Sequence, residues 1–182
     1  MQVSVVCAVI SVPQISVKHL LVGTDFIGRA YRQDLTFHHD HDAVAQVHHK
    51  VHVVLDHHEA ALAWAVQLFE QGALFIGAFD ASEKLVGVSV VSNQLIADYP
   101  HAKLLHYFYV DADHQGQGIG AKLMQAAKES AKQLGADQLY ISATPSRRTV
   151  DFYMKHGVQP LSAPDQQLWQ LEPEDIHLLC TL

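Results

Sequence analysis

Leu104-Leu105-His106-Tyr107-Phe108-Tyr109-Val110 runs through Asp111-Ala112-Asp113-His114 into Gln115-Gly116-Gln117-Gly118-Ile119-Gly120-Ala121, and the reading of this stretch decides the fold. Its first seven residues, aromatic and branched, have the composition of a β-strand. From Ile119 onward Leu123, Met124, Ala127, Ala131 and Leu134 mark one face of a helix, until Gly135 stops the run. A strand therefore feeds a helix through a glycine-rich bend. Residues without a β-carbon let backbone N–H groups converge, and a helix N-terminus adds about half a positive charge, so the bend is suited to phosphate. A tight turn holding nothing would use the same residues.

Two phosphate loops are excluded by spacing. A Walker A loop needs Lys and a hydroxyl residue after its last glycine, where this chain has Ala121. A Rossmann loop follows the first strand of a parallel unit, whereas Gly116, Gly118 and Gly120 come late, after what reads as an antiparallel meander. That meander is Leu74–Phe79 and Leu85–Val91, joined by the hairpin-sized Asp80–Lys84. A helix precedes it: Asp56 and Glu59 resemble a capping box, Leu62, Ala65, Val66 and Phe69 follow at helical spacing, and Gly72 ends it. Downstream, Leu139, Ile141 and Ala143 alternate as a strand. Thr144-Pro145-Ser146 starts a helix carrying Val150, Tyr153 and Met154, and Gly157 stops it. Gln167–Leu171 and Ile176–Leu182 read as two final strands around Glu172-Pro173-Glu174-Asp175.

The 182 residues are 49% apolar and 17% charged, which fits one globular domain spanning residues 1–182. A net charge of -7 argues against nucleic acid and anionic membranes as partners and favours a cationic substrate. Two cysteines, Cys7 and Cys180, are too few for a disulfide framework, and a reducing cytoplasmic setting is expected. Met1–Val12 is apolar but has no Lys or Arg before Lys18, so a signal peptide is not expected, and no apolar run is long enough to cross a bilayer.

Before residue 56 the pattern is weak, with a strand expected around Val3, Val5 and Val9 and an extended piece at Tyr31–Phe37. His38, His39, His41, His48, His49, His52, His57 and His58 crowd this region. His48 and His52 could share a helical face, but no zinc-protease spacing appears, so they are read as solvated histidines and no residue is assigned to a metal.

Taken together, these residues resemble the GCN5-related N-acetyltransferases, whose acetyl-CoA loop has the form Q/R-x-x-G-x-G/A at this strand-to-helix junction. Gln115–Gly120 matches it. A second family motif, Asn-x-x-Ala-x-x-Phe/Leu-Tyr before a Gly-hydrophobic pair, is similar to Ser146–Tyr153 followed by Gly157-Val158, with Ser146 and Thr149 in place of Asn and Ala. The resemblance covers Asp56 to Leu182 well and residues 1–55 poorly. It implies an α/β fold with a mixed, largely antiparallel central sheet flanked by helices, and a splayed strand pair at the cofactor site.

The resemblance also implies roles. Phe108, Tyr109 and Val110 would lie beside the pantetheine arm of acetyl-CoA, with the Phe108 amide as oxyanion donor. The loop Gln115, Gly116, Gln117, Gly118, Ile119, Gly120 and Ala121 would take the pyrophosphate. Tyr153 would serve as general acid. Where many relatives carry a strand carboxylate, this chain has Leu104, so His106, two residues on and on the same side by alternation, is the expected base. Ser146 would contact the cofactor or cap its helix. The activity implied is transfer of acetyl directly to a small-molecule or protein amine in a ternary complex, with a homodimer compatible. The alternative is a CoA-binding regulator of the same fold with weak or no catalysis.

Overall fold

The computed structural model describes residues 6–10 and 57–182. Residues up to Ile10 together with Gln71–Leu182 form one compact unit. Ser11–Glu70 form another, of which helix α1 (His57–Glu70) is the described part. The expected piece at Tyr31–Phe37, the capping Asp56, and the histidines from His38 to His52 lie outside the described residues.

The first unit is built on a sheet. Its strands are β1 (Val6–Ile10), β2 (Leu74–Phe79), β3 (Leu85–Val91), β4 (Ala102–Val110), β5 (Gln138–Ala143), β6 (Gln159–Pro160) and β7 (Ile176–Thr181). Among the described residues they lie in the order β1-β2-β3-β4-β5-β7-β6. Every neighbouring pair is antiparallel except β4 with β5, so the sheet is mixed and largely antiparallel. The hairpin between β2 and β3 is shaped by Asp80, whose carboxylate accepts from the Ser82 and Lys84 amides at 2.8 and 3.0 Å. The β-rich stretch near the N-terminus pairs with β2 as Val6–Ile10.

Helices α2 (Ile119–Gln133) and α3 (Arg147–Lys155) cover one face. Ile119, Leu123, Met124, Ala127 and Ala131, each almost wholly buried, meet Ile76, Val86, Leu105, Leu139 and Ile141 from the strands. A fully buried aliphatic side chain contributes roughly 1.5–3 kcal/mol, so this stripe holds α2 against the sheet. On the opposite face Tyr140, Ala102 and Ile96 pack with Leu104, Leu161, Leu168 and Leu179.

The tail departs from expectation. Gln167–Leu171 is not a strand: α4 (Gln166–Leu171) is a short helix. The Asp165 carboxylate accepts from the Gln167 and Leu168 amides at 3.1 and 3.0 Å, which satisfies the first turn and fixes a helical start. The strand expected at Ile176–Leu182 is β7, and the two-residue β6 pairs with it. Among the described residues no helix is long and apolar enough to cross a membrane.

Candidate active site

The site begins where two strands part. β4 and β5 pair from Ala102↔Gln138 to Leu105↔Ile141 and no further. Beyond that point β4 keeps its pairing with β3 as far as Gly87↔Val110, while β5 pairs with β7 as far as Ala143↔Ile176. An opening is therefore left between His106–Val110 on one side and Ser142–Ala143 on the other.

Backbone directions follow from the ladder. The Asp111 amide donates to the Val86 carbonyl at 2.9 Å. Alternation in an antiparallel pair then turns the Tyr107 and Tyr109 amides toward β3 and the Phe108 and Val110 amides away from it, into the opening. The Phe108 amide thus lies on the side of β4 that borders the opening. The Tyr109 amide is directed to β3 instead, and the Val110 carbonyl is occupied by the Gln115 side-chain amide at 3.0 Å.

His106 falls where the register of β4 is broken. The β3/β4 register steps from Val90↔Tyr107 to Val91↔Leu105, so His106 is an extra residue in β4, a bulge. Leu105, Phe108 and Val110 accordingly share the α2 face, which an unbroken strand would not allow. At such a bulge strict alternation from Leu104 no longer fixes the direction of the His106 side chain. His106 still lies at the mouth of the opening, where burial pushes its imidazole down against the opposing pull of Glu172.

The bend after β4 is a short 3-10 turn, Ala112–His114, capped by Asp111, followed by Gly116 at φ 77° and Gly118 at φ 80°. A β-carbon on either glycine would meet nothing within 4 Å; what each supplies is the left-handed backbone that other residues resist. Gly118 is the N-cap of α2 and no side chain caps this end. The first helical bond is from Lys122 to Gly118, so the Ile119, Gly120 and Ala121 amides precede it. Gly120 has a second reason to be glycine: a β-carbon there would come within 3.2–3.3 Å of the Phe152 ring. Gln115 and Gln117 brace the bend, the latter donating to the Asp113 carbonyl at 3.2 Å.

Phe152 joins Phe108 and Tyr153 in an aromatic cluster, with ring centroids 5.5 Å (Phe108–Phe152), 6.0 Å (Phe108–Tyr153) and 5.3 Å (Phe152–Tyr153) apart. Tyr153 is 6% exposed, and its phenol is pushed well up by burial and then by the Asp175 charge. Ser146 caps α3: its hydroxyl accepts from the Thr149 amide at 3.1 Å and donates to the Thr149 hydroxyl at 2.7 Å. Sequence reasoning left Ser142 and Asp175 out, although both stand at the open end of β5. Their only sequence signal was the acidic turn before the last strand. Among the described residues no cluster of His, Cys, Asp or Glu is placed to hold a metal ion.

Comparisons agree with this geometry. No curated protein matches the chain. Among solved structures, a GNAT-family acetyltransferase from Staphylococcus aureus Mu50 aligns over 98% of this chain and 99% of that one, at 15% identity and TM-score 0.66. The PaiA N-acetyltransferase of Thermoplasma acidophilum, solved in complex with coenzyme A, aligns over 98% and 99%, at 15% identity and TM-score 0.64. An IAA acetyltransferase from Bacillus cereus ATCC 14579 aligns over 98% and 100%, at 20% identity and TM-score 0.56. At such identities these likenesses establish the fold. The sequence itself matches the acetyltransferase (GNAT) family across residues 36–158, more than half its length, and on that match the chain belongs to the GNAT family of acetyltransferases.

Proposed function

We propose that this chain is an acetyl-CoA-dependent N-acetyltransferase that passes the acetyl group directly to a primary amine in a ternary complex. The observation that carries this reading is the parting of β4 and β5 beyond Leu105 and Ile141, with the Phe108 amide turned into the opening and the uncapped start of α2 beside it. An extended pantetheine arm suits a gap of this kind as an added strand would. The Ile119, Gly120 and Ala121 amides suit a pyrophosphate, and open space at Gly116 and Gly118 lets it approach the backbone. When bound, acetyl-CoA supplies the acetyl group as a thioester.

The residues then divide the work. The Phe108 N–H donates to the carbonyl oxygen as negative charge develops there. An amine with pKa near about 10 arrives as ammonium and must lose a proton before it attacks. His106, neutral near pH 7 because burial disfavours its charged form, takes that proton. As the C–N bond forms and the C–S bond breaks, the Tyr153 hydroxyl gives its proton to sulfur; the nitrogen's second proton restores the phenol through solvent. One ammonium and one thioester thus yield one amide, one thiol and one released proton.

Calorimetry with coenzyme A, followed by thiol release from acetyl-CoA across a panel of amines, tests the reading. Uptake of coenzyme A and release with at least one amine are expected. No uptake overturns it, and uptake without release for any amine favours the regulator of the same fold.

A further inference from the structure

Helices α2 and α3 are joined at two points. At the start of α2, Gly120 lies so close to the Phe152 ring that a β-carbon there would come within 3.2–3.3 Å of it. Further along, the Lys128 ammonium donates to the His156 carbonyl at 2.6 Å. Lys128 stands eight residues after Gly120, about 12 Å along the helix axis. On α3 the matching residues, Phe152 and His156, are one turn apart, and Tyr153 falls between them. The two contacts therefore bracket the phenol that gives its proton to sulfur.

His156 is the C-cap of α3 and closes its last turn. The His156 and Val158 amides donate to the Tyr153 carbonyl at 2.9 and 3.2 Å, and the Gly157 amide donates to the Met154 carbonyl at 3.0 Å. The His156 Nδ1 lies 2.8 Å from the Phe152 carbonyl, which can only accept, so Nδ1 carries the hydrogen. Its ring also packs on the Phe152 ring, with centroids 4.4 Å apart. All these bonds lie within α3 and the residues that end it, whereas Lys128 reaches across from another helix. A cation there also meets the negative end of the α3 dipole. Lys128 is half-buried, while Lys122 and Lys132 on the same helix are exposed. A long side chain thus gives up its freedom for one bond, which marks that bond as part of how the two helices are set.

The setting bears on the reaction because each helix carries one half of it. In the acetyltransferase reading the first amides of α2 hold the pyrophosphate, which decides how far along β4 the sulfur reaches, while α3 carries Tyr153. We propose that Lys128 is a positioning residue: by tying α2 to the end of α3 it sets the Tyr153 hydroxyl where the sulfur of acetyl-CoA arrives. This proposal rests on the acetyltransferase reading and deepens it.

Lys128→Met keeps the apolar stem and removes the donor, and Lys128→Arg keeps a charged donor. With acetyl-CoA and an amine that supports thiol release, Lys128→Met is expected to lower kcat about ten- to a hundredfold and to leave coenzyme A affinity unchanged. Lys128→Arg should recover most of the loss. In a Tyr153→Phe background Lys128→Met should lower kcat no further, because the two residues act through one proton transfer. On the unloaded chain, NMR of ring-labelled tyrosines, with Tyr153 assigned by its loss in Tyr153→Phe, is expected to show the Tyr153 signals shifted in Lys128→Met and restored toward their positions in Lys128→Arg. Where Lys128→Met does not fold, Lys128→Gln, too short to bridge to His156, takes its place. Unshifted Tyr153 signals overturn the proposal, as does an unchanged kcat, a loss of coenzyme A affinity equal to the loss of kcat, or an equal fall in kcat with and without the Tyr153 hydroxyl. If coenzyme A itself fails to bind, the acetyltransferase reading falls, and the Tyr153 signals of the unloaded chain still decide whether Lys128 places the phenol.

Discussion

Burial moves Tyr153 and His106 in opposite directions with one shared result, since both are left uncharged near pH 7. A neutral phenol can donate to a departing thiolate and a neutral imidazole can accept from an ammonium. Tyr153→Phe keeps the ring among Phe108 and Phe152 and removes only the hydroxyl, so kcat is expected to fall about 10²–10⁴-fold with coenzyme A affinity unchanged. Stopped-flow turnover beside calorimetry checks this, and unchanged turnover ends the acid role. The pH profile separates the two groups. Because His106 is shifted down, the acid limb of kcat/KM is expected below the ordinary histidine value of about 6.5, and His106→Gln should abolish that limb. The same shift bears on stability: the unfolded chain holds this proton at higher pH than the folded one, so stability is lost as pH falls through the window between the two values. An acid limb that survives in His106→Gln assigns the base elsewhere. His106 also marks the limit of period-two reasoning, since a bulge leaves no trace in residue types and reveals itself only once β3 supplies a register.

Elements with strong periodicity were legible, and short ones were not. The bounds of β2 and β3 agree with the sequence because Asp80 begins a turn whose side chain closes on Ser82 and Lys84. The α2 stripe is legible because five of its apolar residues enter one core. By contrast α4 has too few residues for a period to emerge; its Leu171 and Trp169 are exposed and Leu168 alone of its apolar side chains packs into a core. Asp165 before two glutamines was the available helix-start signal. The glycine bend was legible as a strand-to-helix turn, but which glycine does what was not. Gly118 and Gly135 flank α2, both at positive φ (80° and 79°) and both with open space at the β-carbon. Alanine at either site is expected to cost about 1–2 kcal/mol from backbone strain alone. Only Gly118→Ala should also weaken coenzyme A, because its amides lead into the opening. Equal loss of coenzyme A affinity in both variants, with matched thermal unfolding, places phosphate recognition outside the bend.

At the scale of the whole unit, the open end of the sheet is held by a buried polar clamp that no local pattern predicts, because its partners lie far apart in sequence. Asp165 is 2% exposed; its carboxylate accepts from the Asp98 amide at 3.0 Å, while the Gln166 amide returns a bond to the Asp98 carboxylate at 3.0 Å. The Tyr99 hydroxyl donates to the Ala163 carbonyl, and the Asp165 amide donates to Tyr140 in the centre of β5. This clamp fastens α4, and with it the turn carrying Glu172 and Asp175, to the strand that borders the site. Burial alone would raise the Asp165 carboxyl, but the Asp98, Leu168 and Gln167 amides and the His177 charge outweigh it and hold it low. A carboxyl lower in the folded chain than its unfolded value of about 3.9 contributes stability that is present above that value and lost as pH falls through the folded one. Asp165→Asn keeps the size but cannot accept at both oxygens, and it turns a donor toward the Asp98 amide. It is expected to cost about 1–3 kcal/mol at neutral pH and to flatten the decline of stability below about pH 4. Denaturant unfolding from neutral to acid pH checks both effects. A variant curve running parallel to that of the unaltered chain across the acid range shows that the charge of Asp165 is not what secures the clamp, leaving hydrogen-bond geometry alone to position the acidic turn.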